Sequence, residues 1–303
     1  MKYSKFTAAV LAVLLMVSMT ACGKEKQPTG AITVTDMTGR TVKLDKPAEK
    51  VIPLSAATGD ILYALGCLDN CVGRGELCDY PAEILLLPKV NSGSDTNVEE
   101  IIALGPEVVF MSTMAQTTEQ MDALEAAGIK VVVTDAQSID GIYDEIRLIG
   151  KVMGKDEEAE KVVSDMKSIL ADLESNATGD GTKTVYFEVS PLKYGLWTAG
   201  DGTFMNELAK MLKLKNIFED VNKWAQVSEE QVIERNPDII VILSTPGEDP
   251  GEYFVEVLSR KGWENVTAIK NGSVLMDTDS SLTRPSQRLT EGARMLYEFV
   301  YGN

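Results

Sequence analysis

Asn97-Val-Glu-Glu-Ile-Ile-Ala-Leu-Gly-Pro106-Glu-Val-Val-Phe110 recurs later in the chain as Ser228-Glu-Glu-Gln-Val-Ile-Glu-Arg-Asn-Pro237-Asp-Ile-Ile-Val241. Each copy begins with a residue that caps helices well, breaks at a proline and ends in a run of apolar β-formers. This pattern predicts a short helix followed by a buried strand. Two copies so far apart predict two similar α/β lobes with a cleft between them.

The segments around the two copies extend this prediction to a fold class. Strand and helix signals alternate, and the strands are apolar throughout, which favours parallel sheets covered on both faces. We therefore predict an α/β fold with two similar lobes, residues 32–138 and residues 183–303. Apolar residues at three-to-four spacing predict one long interlobe helix over 139–175. Two successive helices broken near Gly154 fit the same spacing.

The start of the chain is typical of an export signal. Lys2 and Lys5 precede an apolar run that ends at Ala21. Met19-Thr20-Ala21-Cys22 resembles the bacterial lipobox, in which the cysteine becomes the lipid-modified N-terminus. We predict a signal peptide over 1–21, lipidation of Cys22 and a flexible tether over 22–31. The alternative is an ordinary secretory signal with an incidental cysteine.

Composition excludes several classes of function. The net charge is -17, and no clustered basic face is visible, so we predict no nucleic-acid partner. The chain contains no histidine, which excludes Ser-His-Asp and Cys-His catalysis and imidazole-ligated zinc. Cys67, Cys71 and Cys78 are predicted to form one disulfide or to be buried thiols, rather than to bind a metal. We predict no bound metal or cofactor.

Glu99 and Glu230 hold matching positions in the two copies. If Asn97 and Ser228 are the N-caps, both carboxylates lie in the first turn of a helix, where they complement the helix dipole. The functional alternative is that the two glutamates dock onto basic residues of a two-fold symmetric partner. The local sequence favours the two readings equally.

Several aromatic residues and one arginine are candidates for ligand binding. Tyr80, Tyr194, Trp197 and Trp224 lie in or beside predicted loops, where aromatic side chains can contact a large planar or apolar ligand. Their alternative role is to cover the edges of the core. Arg284, in the loop before the last predicted helix, suits a phosphate or carboxylate of the ligand, whereas the alternative is a solvated loop charge.

From about residue 36 to residue 301, the chain resembles the substrate-binding proteins of ABC importers for vitamin B12, iron–siderophore complexes and haem. The resemblance rests on the order and spacing of six segments. These are Val51-Ile-Pro-Leu-Ser55, Cys78-Asp79-Tyr80-Pro81, Asn97-Val-Glu-Glu-Ile-Ile-Ala-Leu104, Leu124-Glu-Ala-Ala-Gly-Ile-Lys-Val131, Trp224-Ala-Gln-Val-Ser-Glu-Glu-Gln-Val232 and Arg284-Pro-Ser-Gln-Arg288. The resemblance implies a class III periplasmic-binding-protein-like fold, with two Rossmann-like lobes joined by a single long interlobe helix. It also implies that the lobe-tip residues Glu99 and Glu230 contact arginines of the permease.

The segment from Trp224 to Val232 is most similar to the cobalamin-binding branch of this family. The chain departs from that branch at Leu77 and at Ser280-Ser281, where aromatic or acidic residues are usual. The resemblance therefore implies a corrinoid as ligand, with a ferric siderophore or haem as the alternative.

The function predicted is that of a lipid-anchored, extracytoplasmic monomer that captures a metal chelate and delivers it to an ABC permease dimer and its ATPase. The predicted ligand-binding residues are Ser55, Tyr80, Tyr194, Trp197, Trp224 and Arg284. No catalytic residue is predicted. A remote alternative is an exported α/β enzyme, although no close pair of nucleophile and base stands out.

Overall fold

A computed structural model of the protein describes residues 30–302. The predicted signal peptide, Cys22 and most of the predicted tether lie outside the described residues. Within residues 30–302, no helix combines the length and the apolar character needed to cross a membrane.

The described part of the chain alternates strands with helices, as predicted. The strands are β1 (Ile32–Thr35), β2 (Thr41–Leu44), β3 (Val51–Pro53), β4 (Arg74–Gly75), β5 (Lys89–Val90), β6 (Val108–Met111), β7 (Lys130–Val133), β8 (Thr184–Glu188), β9 (Leu196–Ala199), β10 (Lys215–Asn216), β11 (Trp224–Val227), β12 (Ile239–Ile242) and β13 (Val274–Met276). The helices are α1 (Ala56–Ala64), α2 (Val98–Leu104), α3 (Thr118–Ala126), α4 (Ile139–Met153), α5 (Asp156–Asn176), α6 (Phe204–Met211), α7 (Glu229–Arg235), α8 (Pro250–Leu258), α9 (Thr267–Asn271) and α10 (Leu289–Tyr301).

The two copies of the repeated segment hold equivalent places in two parallel sheets. The N-terminal sheet has the strand order β3-β6-β7, and the C-terminal sheet has the order β10-β8-β12-β13. Strands β6 and β12 end the two copies. In the N-terminal sheet β6 pairs with β3 and β7, and in the C-terminal sheet β12 pairs with β8 and β13, all in parallel. The predicted α/β class with two Rossmann-like lobes is confirmed.

Alternate residues of these strands enter different parts of the core. In β6, Val108 and Phe110 belong to one large cluster of buried side chains, whereas Val109 and Met111 belong to another. The same large cluster receives Val185 and Phe187 from the other sheet. Side chains alternate between the two faces of a strand, so both sheets are covered on both faces and share one core across their inner faces.

The segment predicted as one long helix is divided in two. Helix α4 ends at Gly154, which has a φ of 67° in the left-handed region that favours glycine, and α5 begins at Asp156. The chain turns back sharply there, since a Cβ at Gly150 would lie 2.5 Å from the Cβ of Ala159. The interlobe helix is therefore α5, and the predicted bounds of 139–175 were wrong at the N-terminal end.

Both predicted N-caps of the repeated helices are present. The side chain of Asn97 accepts a hydrogen bond from the amide of Glu100 at 3.2 Å, and Ser228 does the same for Gln231 at 3.3 Å. In the second helix, Gln231 also accepts a hydrogen bond from the amide of Ser228 at 2.9 Å, which completes a capping box.

Candidate functional site

A cleft lies at the carboxyl ends of the parallel strands. Loops that follow β3, β6 and β7 line one side, and loops that follow β12 and β13 line the other. Ligands of open α/β sheets bind outside this end of the strands. The cleft holds two cavities of about 540 and 360 Å³, and both are lined by Ala56, Leu77, Thr283 and Arg284. Shared walls make them two parts of one site formed by both lobes.

Another cavity, of about 500 Å³, lies beside the cleft within the C-terminal lobe. Its lining runs from Pro191 to Lys193 and along α8, and Glu248 is common to it and to the larger cleft cavity. None of the described residues of the N-terminal lobe lines this cavity. A ligand held by both lobes therefore belongs in the cleft.

Arg284 lies in the wall of both cleft cavities, and its charge is already paired. The buried guanidinium bonds to Asp60 at 3.3 Å and to Asp79 at 2.6 Å, both across the lobe boundary. Ser286 donates a further hydrogen bond to the Asp60 carboxylate at 3.1 Å. Burial nevertheless raises the pKa of Asp60 to about 6, because desolvation outweighs the attraction of Arg284. Arg284 thus lies at the cleft, and its chief contacts are with protein carboxylates.

Ser55 also lines the smaller cavity, at the start of α1. Its side chain accepts a hydrogen bond from the amide of Thr58 at 3.2 Å, which makes it the N-cap of that helix. Ser55 and Arg284 are therefore brought together in one wall, and their contact with a ligand stays a prediction.

Tyr80 lies behind the wall rather than in it. Its ring is covered by the guanidinium of Arg288 at 4.3 Å and meets the edge of Tyr63 at 5.5 Å between centroids. Arg288 in turn bonds to Asp279 at 3.1 Å, and Asp279 lines the larger cavity. Tyr80 is not among the described residues that line either cavity. Its contact with a ligand stays a prediction.

Trp197 and Trp224 are on strands rather than in loops, which corrects the predicted setting of both. Strands β9 and β11 pair in antiparallel fashion, and Trp197 lies opposite Gln226. The Nε1 of Trp224 donates a hydrogen bond to Gln137 at 2.8 Å, and Gln137 lines the smaller cavity. Trp224 thus connects the lobes next to the cleft, while Trp197 is 39% exposed.

Tyr194 lies at the outer edge of the larger cavity. Its hydroxyl donates a hydrogen bond to Glu248 at 2.9 Å, and the ring is 59% exposed. Lys193 bonds to the same carboxylate at 2.7 Å. The contacts of Tyr194 with the cavity are therefore made through Glu248.

Glu145 is a residue of the site that the sequence analysis missed. It is only 2% exposed, lines the smaller cavity and accepts a hydrogen bond from the amide of Ala136 at 3.2 Å. Burial raises the pKa of Glu145 to about 8, so the carboxyl group is largely protonated near neutral pH. A signal was available, because Glu145 falls on the apolar face of α4 between Ile142 and Ile146.

Glu99 and Glu230 are exposed in the first turns of α2 and α7. The Glu230 pKa is lowered by hydrogen bonds from its own backbone and from Ser228 at the helix start. Both carboxylates are free to contact a partner, and both also suit the helix dipole.

The three cysteines in the described range are free and buried. Burial raises the pKa of Cys67 to about 11 and those of Cys71 and Cys78 to about 12. Of the two alternatives predicted, buried thiols are present. No cluster of three or more metal-binding side chains occurs among residues 30–302.

The fold and the cleft define a two-lobed solute-binding protein. Residues 51–280 match the family model described as periplasmic binding protein. The chain therefore belongs to the periplasmic binding protein family, and it is the substrate-binding component of an ABC importer of the iron, siderophore and vitamin B12 class.

Individual relatives agree with this assignment. The chain is 34% identical, over 98% of both chains, to an uncharacterized ABC transporter substrate-binding lipoprotein, YvrC, of Bacillus subtilis (strain 168). It is 30% identical to a vitamin B12-binding protein of Salmonella choleraesuis (strain SC-B67), over 66% of this chain and 74% of the relative. A crystal structure of a possible iron-binding (periplasmic solute-binding) protein from Staphylococcus epidermidis ATCC 12228 is 29% identical, with a TM-score of 0.69, over 84% of this chain and 100% of that one.

Proposed function

We propose that this protein captures a corrinoid in the interlobe cleft and delivers it to an ABC permease dimer with its ATPase. One observation carries the binding site: both lobes line a single cleft at the carboxyl ends of their parallel strands. The relatives that are vitamin B12-binding proteins support the choice of ligand. No bond is made or broken in this function.

The shared core supports a cleft that is largely formed before the ligand arrives. Side chains from both sheets and from α4 and α5 belong to one buried cluster. Asp60 and Arg284 add an ion pair across the lobe boundary. Because closing the lobes would disturb this packing, we expect only a small movement on binding.

Tryptophan fluorescence tests the ligand. Trp224 lies beside the cleft, whereas Trp263 is fully buried in the C-terminal lobe and can be replaced by phenylalanine to remove its background. The protein is titrated with cobalamin, cobinamide, ferric siderophores and haem. We expect saturable binding of a corrinoid. Saturable binding of a siderophore or haem, with none of a corrinoid, would overturn the choice of ligand.

Docking is proposed to use the exposed carboxylates of Glu99 and Glu230. The test combines Glu99→Lys with Glu230→Lys and measures uptake by cells together with ligand binding by the purified protein. Glu157→Lys combined with Glu174→Lys, on exposed positions of α5, makes the same change of net charge elsewhere. We expect the first pair to abolish uptake without weakening ligand binding. Unchanged uptake in a folded variant would leave the two glutamates with a capping role alone.

The proposed location is the outer face of the cell membrane, through a lipid on Cys22. The lipobox-like segment before Cys22 and the lipoprotein relative from Bacillus subtilis support it. Cys22→Ser is expected to release the protein from the membrane fraction, and retention of the variant there would argue against the anchor.

A further inference from the structure

The walls of the cleft carry many more carboxyl groups than cations. Among the described lining residues of both cavities, Arg284 is the single cation. The acidic lining residues are Glu76, Asp79, Glu248 and Asp279 in the larger cavity and Asp135 and Glu145 in the smaller one.

Three of the cations close to these walls are paired with protein carboxylates. Arg284 is shared between Asp60 and Asp79. Arg288 and Lys193, which lie next to the lining residues, bond to Asp279 and Glu248. The buried Arg74 lies next to Glu76, and its guanidinium donates to backbone carbonyl oxygens. An anionic ligand would therefore have to displace ion pairs or backbone hydrogen bonds to reach a cation.

One lining carboxylate, that of Glu76, has its acceptor capacity left for a ligand. Glu76 is exposed at the larger cavity, and no Lys or Arg of residues 30–302 lies within ion-pair distance of it. Glu145 is almost fully buried, and the hydrogen bond from Ala136 uses its Oε2. Because this carboxyl group is largely protonated near neutral pH, it adds a hydrogen-bond donor and little negative charge to the smaller cavity.

These features define the chemistry that the cleft accepts. Ionised carboxylates only accept hydrogen bonds, so a complementary ligand must present N–H, O–H or positively charged groups. Negative walls of low dielectric also repel anions more strongly than the same charges in open water. Because a ligand with peripheral carboxylates meets both penalties, it is disfavoured twice.

We propose that the cleft selects a neutral or cationic chelate rich in amide or other donor groups, and rejects polyanionic chelates. This inference rests on the proposed function, because it assumes that the ligand is a metal chelate held in the cleft. The proposal separates the alternative ligands by charge. An amide-bearing corrinoid or a cationic hydroxamate fits the cleft, whereas a catecholate siderophore or a metal porphyrin with free carboxylates does not.

Isothermal titration calorimetry of the full chain with two pairs of chelates, whose members differ in charge, tests the proposal. The first pair is cobinamide and the same corrinoid after hydrolysis of its side-chain amides to carboxylates. The second pair is cationic ferrioxamine B and anionic ferric enterobactin. Within the pair that binds, we expect the amide or cationic member to bind at least about a hundredfold more tightly, because the anionic member brings several negative charges close to the carboxylates of the cleft. If the preferred member is cationic, the protein's affinity for it should also fall as salt is added.

Glu76 gives a graded test of the same idea, because its exposed side chain can be changed without disturbing the core. Glu76→Gln should reduce the ratio of the affinities of the two members of the binding pair about three- to tenfold, and Glu76→Lys should reduce this ratio further. Glu174→Gln and Glu174→Lys, on the exposed face of α5, are the matched controls and should leave the preference unchanged.

The outcomes separate this inference from the proposed function. Equal or tighter binding of an anionic member would overturn the charge selection and leave a chelate-binding protein in place. A preference that Glu76→Lys and Glu174→Lys change by the same amount would also overturn it, since the effect would then come from net charge. Binding of no member of either pair would contradict both.

Discussion

Replacing Glu145 by glutamine is expected to stabilise the protein at neutral pH and to leave it nearly unchanged in mild acid. Burial raises the pKa of Glu145 from 4.5 to about 8, with desolvation as the chief cause. Near pH 7 the folded protein therefore holds a proton on this group that the unfolded chain releases. Holding that proton costs folding free energy, and glutamine has the same shape without an acidic proton to hold.

The magnitude follows from the linkage between protonation and folding. Because the pKa of Glu145 is raised in the folded protein, the protonated group stabilises the fold fully at pH values below its unfolded pKa of 4.5. This stabilisation is lost as the pH rises towards the folded pKa of about 8. Each pH unit in that window costs about 1.4 kcal/mol. Between about pH 5 and pH 7.5, the wild-type protein should lose about 3 kcal/mol of unfolding free energy relative to Glu145→Gln.

Urea unfolding at several pH values measures this difference. Burial also raises the pKa values of Asp60 and Asp277 to about 6, but both groups are present in the two proteins, so their contributions cancel. Glu174→Gln is the control, because its exposed side chain should give a curve parallel to the wild type at every pH. A Glu145→Gln curve that is also parallel to the wild type would refute the reasoning, since Glu145 would then be ionised in the folded protein.

Three other predictions concern single contacts. Arg284→Gln should lower the free energy of unfolding by about 3 kcal/mol near pH 8, because it leaves the buried Asp60 without its cation. Adding Asp60→Asn to this variant should restore most of the loss, as measured by denaturant unfolding. Absence of this rescue would show that the pair is not coupled. Ser228→Ala should lower the free energy of unfolding by about 1 kcal/mol through loss of the N-cap of α7, whereas an effect as small as that of an exposed substitution would show that the cap does not matter. Cys67, Cys71 and Cys78 should react with a thiol reagent only after unfolding, because each thiol is buried and its pKa is raised. Rapid labelling of these cysteines in the folded protein would contradict that burial.

The parts of the fold that repeat or alternate locally could be predicted from the sequence. The two copies gave α2 with β6 and α7 with β12, and the structure places both strands in the centre of their sheets. The break between α4 and α5 could not be decided in advance, because Gly154 is tolerated inside a helix and ends one only when tertiary packing favours the turn.

The candidate site was predicted less completely, for reasons of distance along the chain. Asp60 and Arg284 meet although 224 positions separate them, so neither sequence neighbourhood indicates the pair. Trp197 and Trp224 belong to short strands that become recognisable only when they pair with each other. Glu145 is hidden within the apolar face of a helix, where its role depends on the cavity beside it.

Hydrogen–deuterium exchange of the protein with and without saturating cobinamide tests the central claim most directly, because it shows where the ligand contacts the chain. We expect slower exchange in cleft loops of both lobes, in peptides that cover residues 54–57, 134–137 and 244–248, while the exposed turns of α5 stay unchanged. Protection confined to one lobe, or centred on the cavity beside α8, would contradict a ligand held between the lobes.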